Sequence, residues 1–473
     1  MVFSSSTFLF VYFPIVLIIY YLLHQRYRNT FLFLASLAFY AWGEPKFVLV
    51  LIISVFINYV AALLVDIKRV GGGKTCKIIL GIDVILNLLL LFIFKYLNFI
   101  TGNLKYIFPE IVVTDIVLPI GISFFTFQAI SYVADVSRGR GKAQRNILNV
   151  GLYITFFPQL IAGPIVRYES ISSEILERNT TWDDFCIGTK RFLRGIIKKI
   201  IVSNNLALVA DTAFSMTSGN LSVCMAWFGM LAYTLQIYYD FSGYSDMAIG
   251  LGRMFGFHFN ENFDYPYISK SITEFWRRWH ISLGSWFRDY VYIPLGGSRV
   301  ETRWKHIRNL FIVWFLTGIW HGARWNFIFW GLMYFVLLLL EKYTIHPEKF
   351  SGIRWKRYTW QIITMLCVGF GWVLFRAEGL HSAVLYVKFM FGLQNNLFIN
   401  AETLFYIREY ACITLIAIIF SVPVVRYLEE YVRRRNKKWI LEITEPIVYI
   451  ILFLLAVSYL VTGSHNPFIY FNF

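Results

Sequence analysis

The chain has 473 residues, of which 58% are apolar, 19% aromatic and only 15% charged, and its formal net charge is +16. Soluble domains are about 45–50% apolar and about 25% charged, so this composition excludes an ordinary soluble protein and a disordered or collagen-like chain. It indicates an integral membrane protein, in which excess basic charge is typical of cytoplasmic loops and not of nucleic-acid binding. The five cysteines show no CxxC pair, so we expect neither a disulfide framework nor a metal site.

Apolar runs recur from one end of the chain to the other. The first, Thr7 to Leu23, follows no basic segment and precedes no small-residue cleavage site, so we interpret it as a retained span and not a removed signal. The further long runs are Phe47 to Val65, Ile78 to Ile100, Ile116 to Val133, Met225 to Ile249, Leu310 to Leu340, Tyr358 to Phe375, Ala411 to Val425 and Ile447 to Val461. Together with shorter runs, such as the proline-interrupted Val150 to Val166, they predict an all-α, polytopic membrane protein. We expect one domain over residues 1–473, with roughly ten to thirteen membrane segments, some of them re-entrant.

Lysine and arginine collect between these runs. Basic loops are expected at Lys68 to Lys77, Lys190 to Lys199 and Arg253 to Arg308, among others. Because short basic loops stay in the cytoplasm, this pattern predicts that the N-terminus and the C-terminal tail, residues 462–473, lie outside.

The run from Leu310 to Leu340 is interrupted by polar residues. Its centre carries His321, with Gly318 and Gly322 on either side. Glycines allow the backbone to leave the helix where protein or water lines it. An ionisable group at membrane depth is costly and functional by default, although a packing role for this histidine is also open. We therefore predict a hairpin with His321 at its bend.

A second polar cluster, residues 271–290, has helical spacing. Phe275, Trp279, Leu283, Trp286 and Tyr290 share one face, and Arg277, His280, Gly284 and Arg288 share another. The pattern predicts an amphipathic helix at the cytoplasmic interface. Two interpretations of Arg277, Arg278 and Arg288 are open: contact with anionic membrane lipid, or binding of a phosphate-bearing donor beside His280.

Carboxylates occur within the run from Met225 to Ile249. Asp240 and Asp246 each lie one turn from another polar residue, and adhesion between helices is the favoured interpretation. The sequence contains no Walker loop, GxSxG, HExxH or GxGxxG motif. Nucleotide hydrolysis, a serine nucleophile elbow and a zinc protease site therefore have no local support.

Several separated segments form an ordered set that is more specific than any one of them. They are Phe157 to Pro164, Tyr239 to Asp246, Trp276 to His280, Trp320-His321-Gly322, Gly371 to Arg376 and Pro467 to Phe473. The set resembles the membrane-bound O-acyltransferases, in the branch that acetylates alginate and other bacterial polymers. Many eukaryotic members carry asparagine or aspartate where this chain has His280. The resemblance implies a ring of helices in the bacterial cytoplasmic membrane, with a cytoplasmic and an external funnel that meet at an active-site histidine.

The resemblance also implies the reactants. The donor would be acetyl-CoA or an acyl group on a carrier-protein pantetheine, with no bound cofactor, and the partner an extracytoplasmic SGNH-type acetyltransferase or esterase. Transfer from a thioester to a hydroxyl needs a base, and histidine titrates near neutral pH. We expect His321 to be this base and His280 to orient the thioester or share the proton transfer. Supporting roles are expected for Trp320, Asp240, Asp246 and Asn326.

Three other functions stay open. D-alanyl transfer to teichoic acid would require an aminoacyl carrier protein. A transporter or flippase for a lipid-linked sugar would explain the spans and broken helices, but it predicts an inverted repeat that we do not find in the sequence. A scaffold in a polysaccharide secretion complex would leave His321 replaceable.

The chain ends in an aromatic tail that contains Tyr470. The tail resembles a tyrosine-bearing motif proposed to carry the acyl group in the bacterial branch. The alternative is an aromatic-belt residue at the membrane interface. Because a phenol with a pKa near about 10 can lose its proton to a histidine at moderate cost, it is a feasible nucleophile. We therefore expect Tyr470 to be an acyl carrier.

Overall fold

The computed structural model describes residues 1–69, 73–216, 220–350, 352–463, 465 and 467. Helices account for 77% of the residues, and the described residues contain no strand. The prediction of an all-α fold is therefore confirmed. Contacts between residues define two compact units, Met1–Phe192 with Ser245–Glu261, and Leu193–Tyr244 with Asn262–Phe473. The single domain over residues 1–473 stays a prediction.

The first unit is built from helices with short connections. Their bounds are α1 (Phe13–Leu22), α2 (Gln25–Gly43), α3 (Val48–Arg69), α4 (Gly73–Leu91), α5 (Leu97–Leu104), α6 (Ile122–Ser137), α7 (Ile147–Thr155), α8 (Phe157–Leu160) and α9 (Tyr168–Leu176). Short π-helical or 3-10 turns occupy Phe8–Tyr12, Pro45–Phe47 and Phe92–Tyr96. Two helices, α10 (Trp182–Ile197) and α12 (Val223–Met254), have residues in both units.

The second unit contains the remaining helices. They are α11 (Asn204–Ser215), α13 (Ile272–Arg278), α14 (Ile281–Phe287), α15 (Arg303–His321), α16 (Trp325–Leu340), α17 (Arg354–Arg376), α18 (Leu380–Met390), α19 (Ala401–Phe420), α20 (Val424–Arg434) and α21 (Lys438–Val461). π-Helical turns occupy Lys198–Ser203, Arg288–Tyr292 and Glu341–Ile345, and 3-10 turns occupy Pro266–Ile268 and Pro347–Phe350.

Within the described ranges, six helical segments are long and apolar enough to cross a membrane. They are Pro45–Arg69, Gly73–Leu104, Trp325–Ile345, Arg354–Arg376, Ala401–Phe420 and Lys438–Val461. Large apolar side chains on the last of them, such as Ile450 and Leu454, are exposed, as lipid-facing residues would be. The protein is thus a multi-pass membrane protein. The count of ten to thirteen segments and the orientation of the termini stay predictions.

The proline-interrupted run breaks as its sequence predicts. Helix α7 ends at Thr155, α8 is a single turn, and the chain then continues without regular structure. The side-chain amides of Gln128 and Gln159 both donate to the carbonyl of Tyr153, at 2.7 and 2.5 Å. Non-helical backbone at membrane depth is tolerated where protein groups supply such partners. Whether this segment is re-entrant depends on the membrane position and stays a prediction.

The hairpin predicted around His321 is confirmed as the pair α15 and α16. The two helices cross at glycines: a Cβ atom on Gly331 would lie 2.4 Å from the Trp314 carbonyl oxygen, and one on Gly318 would lie 2.6 Å from that of Phe327. Both distances are shorter than a side chain allows, so only glycine permits this approach of the two backbones.

We predict that Gly331→Ala lowers the free energy of unfolding by about 1–3 kcal/mol, because the added methyl group forces the arms of the hairpin apart. Thermal unfolding of the purified protein in neutral detergent measures the change. Gly81→Ala on α4 is the matched control, since its methyl group would meet no atom within 4 Å. A Gly331→Ala protein as stable as this control would contradict the packing argument.

Candidate active site

His321 is the last residue of α15 and lies among aromatic rings. Its side chain is buried, and ring centroids of Trp320, Trp330 and Phe375 lie 5.1, 4.9 and 5.2 Å from the imidazole. All three rings meet it nearly perpendicularly. Edge-to-face packing of this kind favours one ring orientation, so the imidazole is held in a fixed, largely apolar setting.

The backbone at His280 shows that the prediction of one helix over residues 271–290 is wrong. The structure has two short helices, α13 and α14, with His280 between them in the left-handed conformation at φ +46°. A left-handed residue cannot continue a right-handed helix, so the chain turns at this point. The turn buries the imidazole and leaves Arg277 exposed, whereas the predicted helix placed both on one face.

The structure brings the two histidines close to one ring. The Trp320 ring centroid lies 6.1 Å from that of His280 and 5.1 Å from that of His321. Phe241 packs perpendicularly on His280 at 4.6 Å. His280 lies outside the six candidate spans. Burial, and to a smaller extent the electrostatic effect of His321, lower the pKa of His280 well below its ordinary value, which favours the neutral ring.

Asn262, which the sequence analysis missed, fixes the His280 ring. Its Oδ1 atom accepts from the backbone N–H of Ser282 at 3.2 Å and from the Ser282 hydroxyl at 2.9 Å, and lies 3.1 Å from His280 Nδ1. A backbone N–H can only donate, so the Asn262 atom that faces it is the oxygen. His280 Nδ1 must then carry the hydrogen, which makes Nε2 the acceptor nitrogen of the neutral ring.

Glu341, also missed, holds the helix that precedes His280. Its carboxylate is buried and accepts from the backbone N–H groups of Ile272 and Thr273 at 2.6 and 2.9 Å, and from the Thr273 hydroxyl at 2.8 Å. These N–H groups open α13, where a negative charge is favourable. Because Glu341 directly follows α16, this cap connects the His321 hairpin with the His280 turn.

Asn326 has a similar structural role at the other end of α16. Its side-chain amide is fully buried and donates to the carbonyls of Ala377 and Leu374, at 2.9 and 3.3 Å. These carbonyls belong to the end of α17, from which Phe375 reaches His321. Asn326 therefore positions the hairpin against the end of α17, and both hydrogen bonds of its amide group go to backbone carbonyls and not to the imidazole.

The two predicted carboxylates on α12 form ion pairs with α10 and with the turn Lys198–Ser203 that follows it. Within the second unit, Asp240 lies 2.6 Å from Lys199, with both side chains buried. Within the first unit, Asp246 lies 2.6 Å from Arg191. Lys199 is part of the π-helical turn Lys198–Ser203, so the prediction of a basic loop up to this residue is wrong. Desolvated charges of opposite sign recover the cost of burial only when paired, which explains why the helices meet here.

The three arginines differ in their surroundings. Arg278 bonds to Glu274 and Asp264, each at 3.0 Å, so it fixes the local fold. Arg288 is 60% exposed and contacts Asp289 at 2.7 Å. Arg277 is exposed. The three guanidinium groups therefore have different surroundings, and that of Arg277 best suits contact with an anion from outside the protein.

Tyr470 lies outside the described residues. Two nearby residues of the tail are described. The carbonyl of Pro467 accepts a hydrogen bond from Lys199 Nζ, and His465 Nε2 lies 3.0 Å from the Asp211 carboxylate.

Comparison of the sequence with known proteins assigns the chain to a family. The sequence model of the membrane-bound O-acyltransferase family, MBOAT, matches residues 142–384, which include both histidines, Asp240 and Asn262. The chain belongs to the membrane-bound O-acyltransferases. It is accordingly an enzyme of O-acyl transfer, and this assignment replaces the transporter and scaffold alternatives.

Three relatives illustrate the range of this MBOAT chain's similarity. The probable alginate O-acetylase AlgI of Pseudomonas putida is 45% identical over 401 residues, which cover 83% of this chain and 80% of that protein. The peptidoglycan O-acetyltransferase of Helicobacter pylori is 35% identical over 427 residues, covering 83% and 80%. The teichoic acid D-alanyltransferase of Bacillus subtilis is 28% identical over 319 residues, covering 63% and 78%.

We predict that Asn262→Ala lowers the acyl-transfer rate of this MBOAT enzyme by up to about 100-fold, because the His280 ring loses its fixed tautomer and position. Asn262→Asp keeps the acceptor but adds a negative charge that favours protonated His280. Its rate should therefore fall at a higher pH than that of the wild type as the solution is acidified.

Rates measured across the pH range, at equal amounts of folded protein, check both outcomes. Asn205→Ala is the control, since Asn205 donates to its own helix at Ile201. A pH profile of Asn262→Asp that overlays the wild type would contradict the positioning of His280 by Asn262.

Proposed function

We propose that this protein transfers acetyl groups from a cytoplasmic thioester across the membrane for O-acetylation of an extracellular or cell-wall polysaccharide. The observation that carries the proposal is the meeting of His280 and His321 at the Trp320 ring in a chain of the O-acyltransferase family. The relatives named for O-acetylation are 45% and 35% identical, and the D-alanyltransferase is 28% identical. Acetyl transfer is therefore favoured over D-alanyl transfer.

The donor in this proposal is acetyl-CoA or the acetylated pantetheine of a cytoplasmic acyl carrier, and it is a substrate and not a resident cofactor. Both donors carry phosphate. The exposed guanidinium of Arg277 lies three residues before His280 in the chain and supplies a charge for such a group. The aromatic surroundings of the histidines suit the thioester end, which is apolar.

The chemistry assigned to the histidines is acyl substitution. His321 takes the proton of an acceptor hydroxyl while the hydroxyl oxygen forms a bond to the thioester carbonyl carbon. The carbon–sulfur bond then breaks, and the departing thiolate takes the proton that His321 received, which regenerates the neutral imidazole. His280 is assigned to the donor side, with its ring oriented through Nδ1. Its acceptor nitrogen, Nε2, can accept a hydrogen bond from an amide N–H of the pantetheine and so orient the thioester.

The acceptor hydroxyl is assigned to Tyr470. Acetylation at its phenolic oxygen would produce an aryl ester, which keeps a good leaving group and hence its transfer potential. An extracytoplasmic SGNH-type enzyme would move the acetyl group from this ester to a polymer hydroxyl and regenerate the phenol. The protein would thus carry an acyl group, and not a whole lipid or sugar, across the bilayer.

This scheme needs a defined location. The protein would reside in the bacterial cytoplasmic membrane, surrounded by lipid, with its N-terminus and C-terminal tail outside and the donor side in the cytoplasm. The distribution of basic residues supports this orientation.

For the donor side, we expect Arg277→Gln to raise the apparent KM for acetyl-CoA several-fold at low salt, with the difference from wild type shrinking at high salt as ions screen the charge. Arg354→Gln is the matched control, because this arginine is also exposed but lies outside residues 271–290. Steady-state kinetics in neutral detergent give both values. A KM for Arg277→Gln that equals the control at every salt concentration would return this residue to a lipid-anchoring role.

For the reaction as a whole, His321→Ala should abolish transfer of labelled acetyl from the donor to the tail and to the polymer, since the base is lost. Tyr470→Phe should abolish both, because it removes the hydroxyl and keeps the aromatic ring. Labelled protein and polymer are measured at equal membrane abundance, with the exposed His381→Gln as control. If the Tyr470→Phe protein acetylates the polymer at the wild-type rate, Tyr470 is not the acyl carrier. If the His321→Ala protein does so, His321 is not the base.

A further inference from the structure

The last helix, α21, and the described residues of the tail contact one helical stretch of the chain. This stretch consists of α10, the turn Lys198–Ser203 and α11. Helix α21 packs against this turn, and the Tyr449 hydroxyl accepts from the Arg194 guanidinium at 3.2 Å. Beyond α21, Pro467 contacts Lys199, as described above. The end of the chain is thus held at more than one point on the same helical stretch.

The carbonyl of Pro467 contacts the ammonium group of Lys199, which is a buried charge. Lys199 and Asp240 are each only 2% exposed. The Lys199 ammonium group lies 2.6 Å from Asp240 Oδ1 and donates a hydrogen bond to the Pro467 carbonyl. Lys199 also lies in a π-helical turn, a local deviation that is frequent at functional sites. We call the pair Lys199 and Asp240, with its bond to Pro467, the lysine anchor.

A second contact, the aspartate anchor, holds the tail two residues earlier. Asp211 lies between two cationic or potentially cationic groups: one carboxylate oxygen accepts from Arg376 at 2.7 Å, and the other lies 3.0 Å from His465 Nε2. These side chains are partly exposed, with 31–43% of their surface accessible. This contact therefore depends less on burial than the lysine anchor does.

The lysine anchor is connected to the candidate active site through helix α12. Asp240 immediately precedes Phe241, the residue whose ring packs on His280 at 4.6 Å. Fixing Pro467 at Lys199 therefore tethers the tail within the unit that holds both histidines, and tethering raises the effective concentration of a reactant.

We propose that the buried Lys199–Asp240 pair is a positioning device that docks the C-terminal tail and presents it to the acyl-transfer site. Docking itself is independent of the reaction, whereas its kinetic benefit rests on the proposed function of Tyr470. Lys199 and Asp240 are positioning residues in this scheme, since neither is assigned a bond to the reacting atoms.

The experiment uses the full-length protein in lipid nanodiscs and two kinds of variant. Lys199→Met with Asp240→Leu replaces the buried pair by apolar side chains of similar size, a change that proteins commonly tolerate better than loss of one partner. His465→Gln weakens the aspartate anchor at an exposed position, where folding is not at risk. His381→Gln, on the exposed surface of α18, is the control.

Carboxypeptidase digestion followed by intact mass measures docking without reference to activity. In the wild type and the His381→Gln control, digestion should stall at Pro467. In the Lys199→Met/Asp240→Leu double variant it should pass this residue at least tenfold faster, with a smaller increase for His465→Gln. Folded variants that are digested like the wild type would overturn the docking of the tail by these anchors.

A single-turnover measurement of acetyl transfer to the tail tests whether docking increases the rate of acyl transfer. The double variant should show at least a tenfold lower maximal rate with an unchanged KM for acetyl-CoA, since only presentation of the acceptor is impaired. Faster digestion together with a wild-type rate would overturn the positioning role. If the wild-type tail takes up no acetyl group while digestion still distinguishes the variants, the acyl-carrier proposal fails and docking stands.

Discussion

Water is scarce in the interior of a membrane protein, so every buried charge or hydrogen-bonding group must find its partner within the protein. The contacts that shape the second unit follow from this constraint. Lys199 is buried with Asp240, and the carboxylate of Glu341 is buried against the first N–H groups of α13. Each such contact joins segments that are far apart in the chain. The polar groups thereby determine which helices meet, while the apolar residues determine that they are buried.

Helix α16 illustrates how these partners position a site. At its beginning, Asn326 binds the carbonyls at the end of α17, and just after its end Glu341 binds the start of α13. The same helix contributes Trp330 to the surroundings of His321. One element therefore fixes the hairpin histidine, the aromatic wall behind it and the short helix that leads to His280. A displacement of α16 would move all three together.

The sequence allowed much of the fold to be predicted, because apolar length and glycine spacing are local signals. The hairpin around His321 follows from such signals, and so does the break near Pro158. The division at His280 does not, since aromatic and basic residues there fit a helical period and nothing in that period reveals a positive φ.

Long-range partners were also beyond prediction. Asn262 is an ordinary polar residue in its local sequence and gains its role only because folding places it against His280 and Ser282. Lys199 looked like part of a basic loop because charge alone was counted. In the fold it pairs with Asp240, which was recognised as polar within an apolar run but not assigned a partner. Arg278 likewise was grouped with its neighbours, although its contacts with Glu274 and Asp264 make it structural.

The backbone at His280 limits which amino acids can occupy this position during evolution. A φ of +46° excludes β-branched side chains and disfavours most others, whereas asparagine, aspartate, histidine and glycine adopt it comparatively easily. Substitution between these residues and histidine would leave the turn intact while changing the group presented to the substrate. The conformation of a single residue would thus restrict this position to a few amino acids, and exchange among them would vary the chemistry of the site.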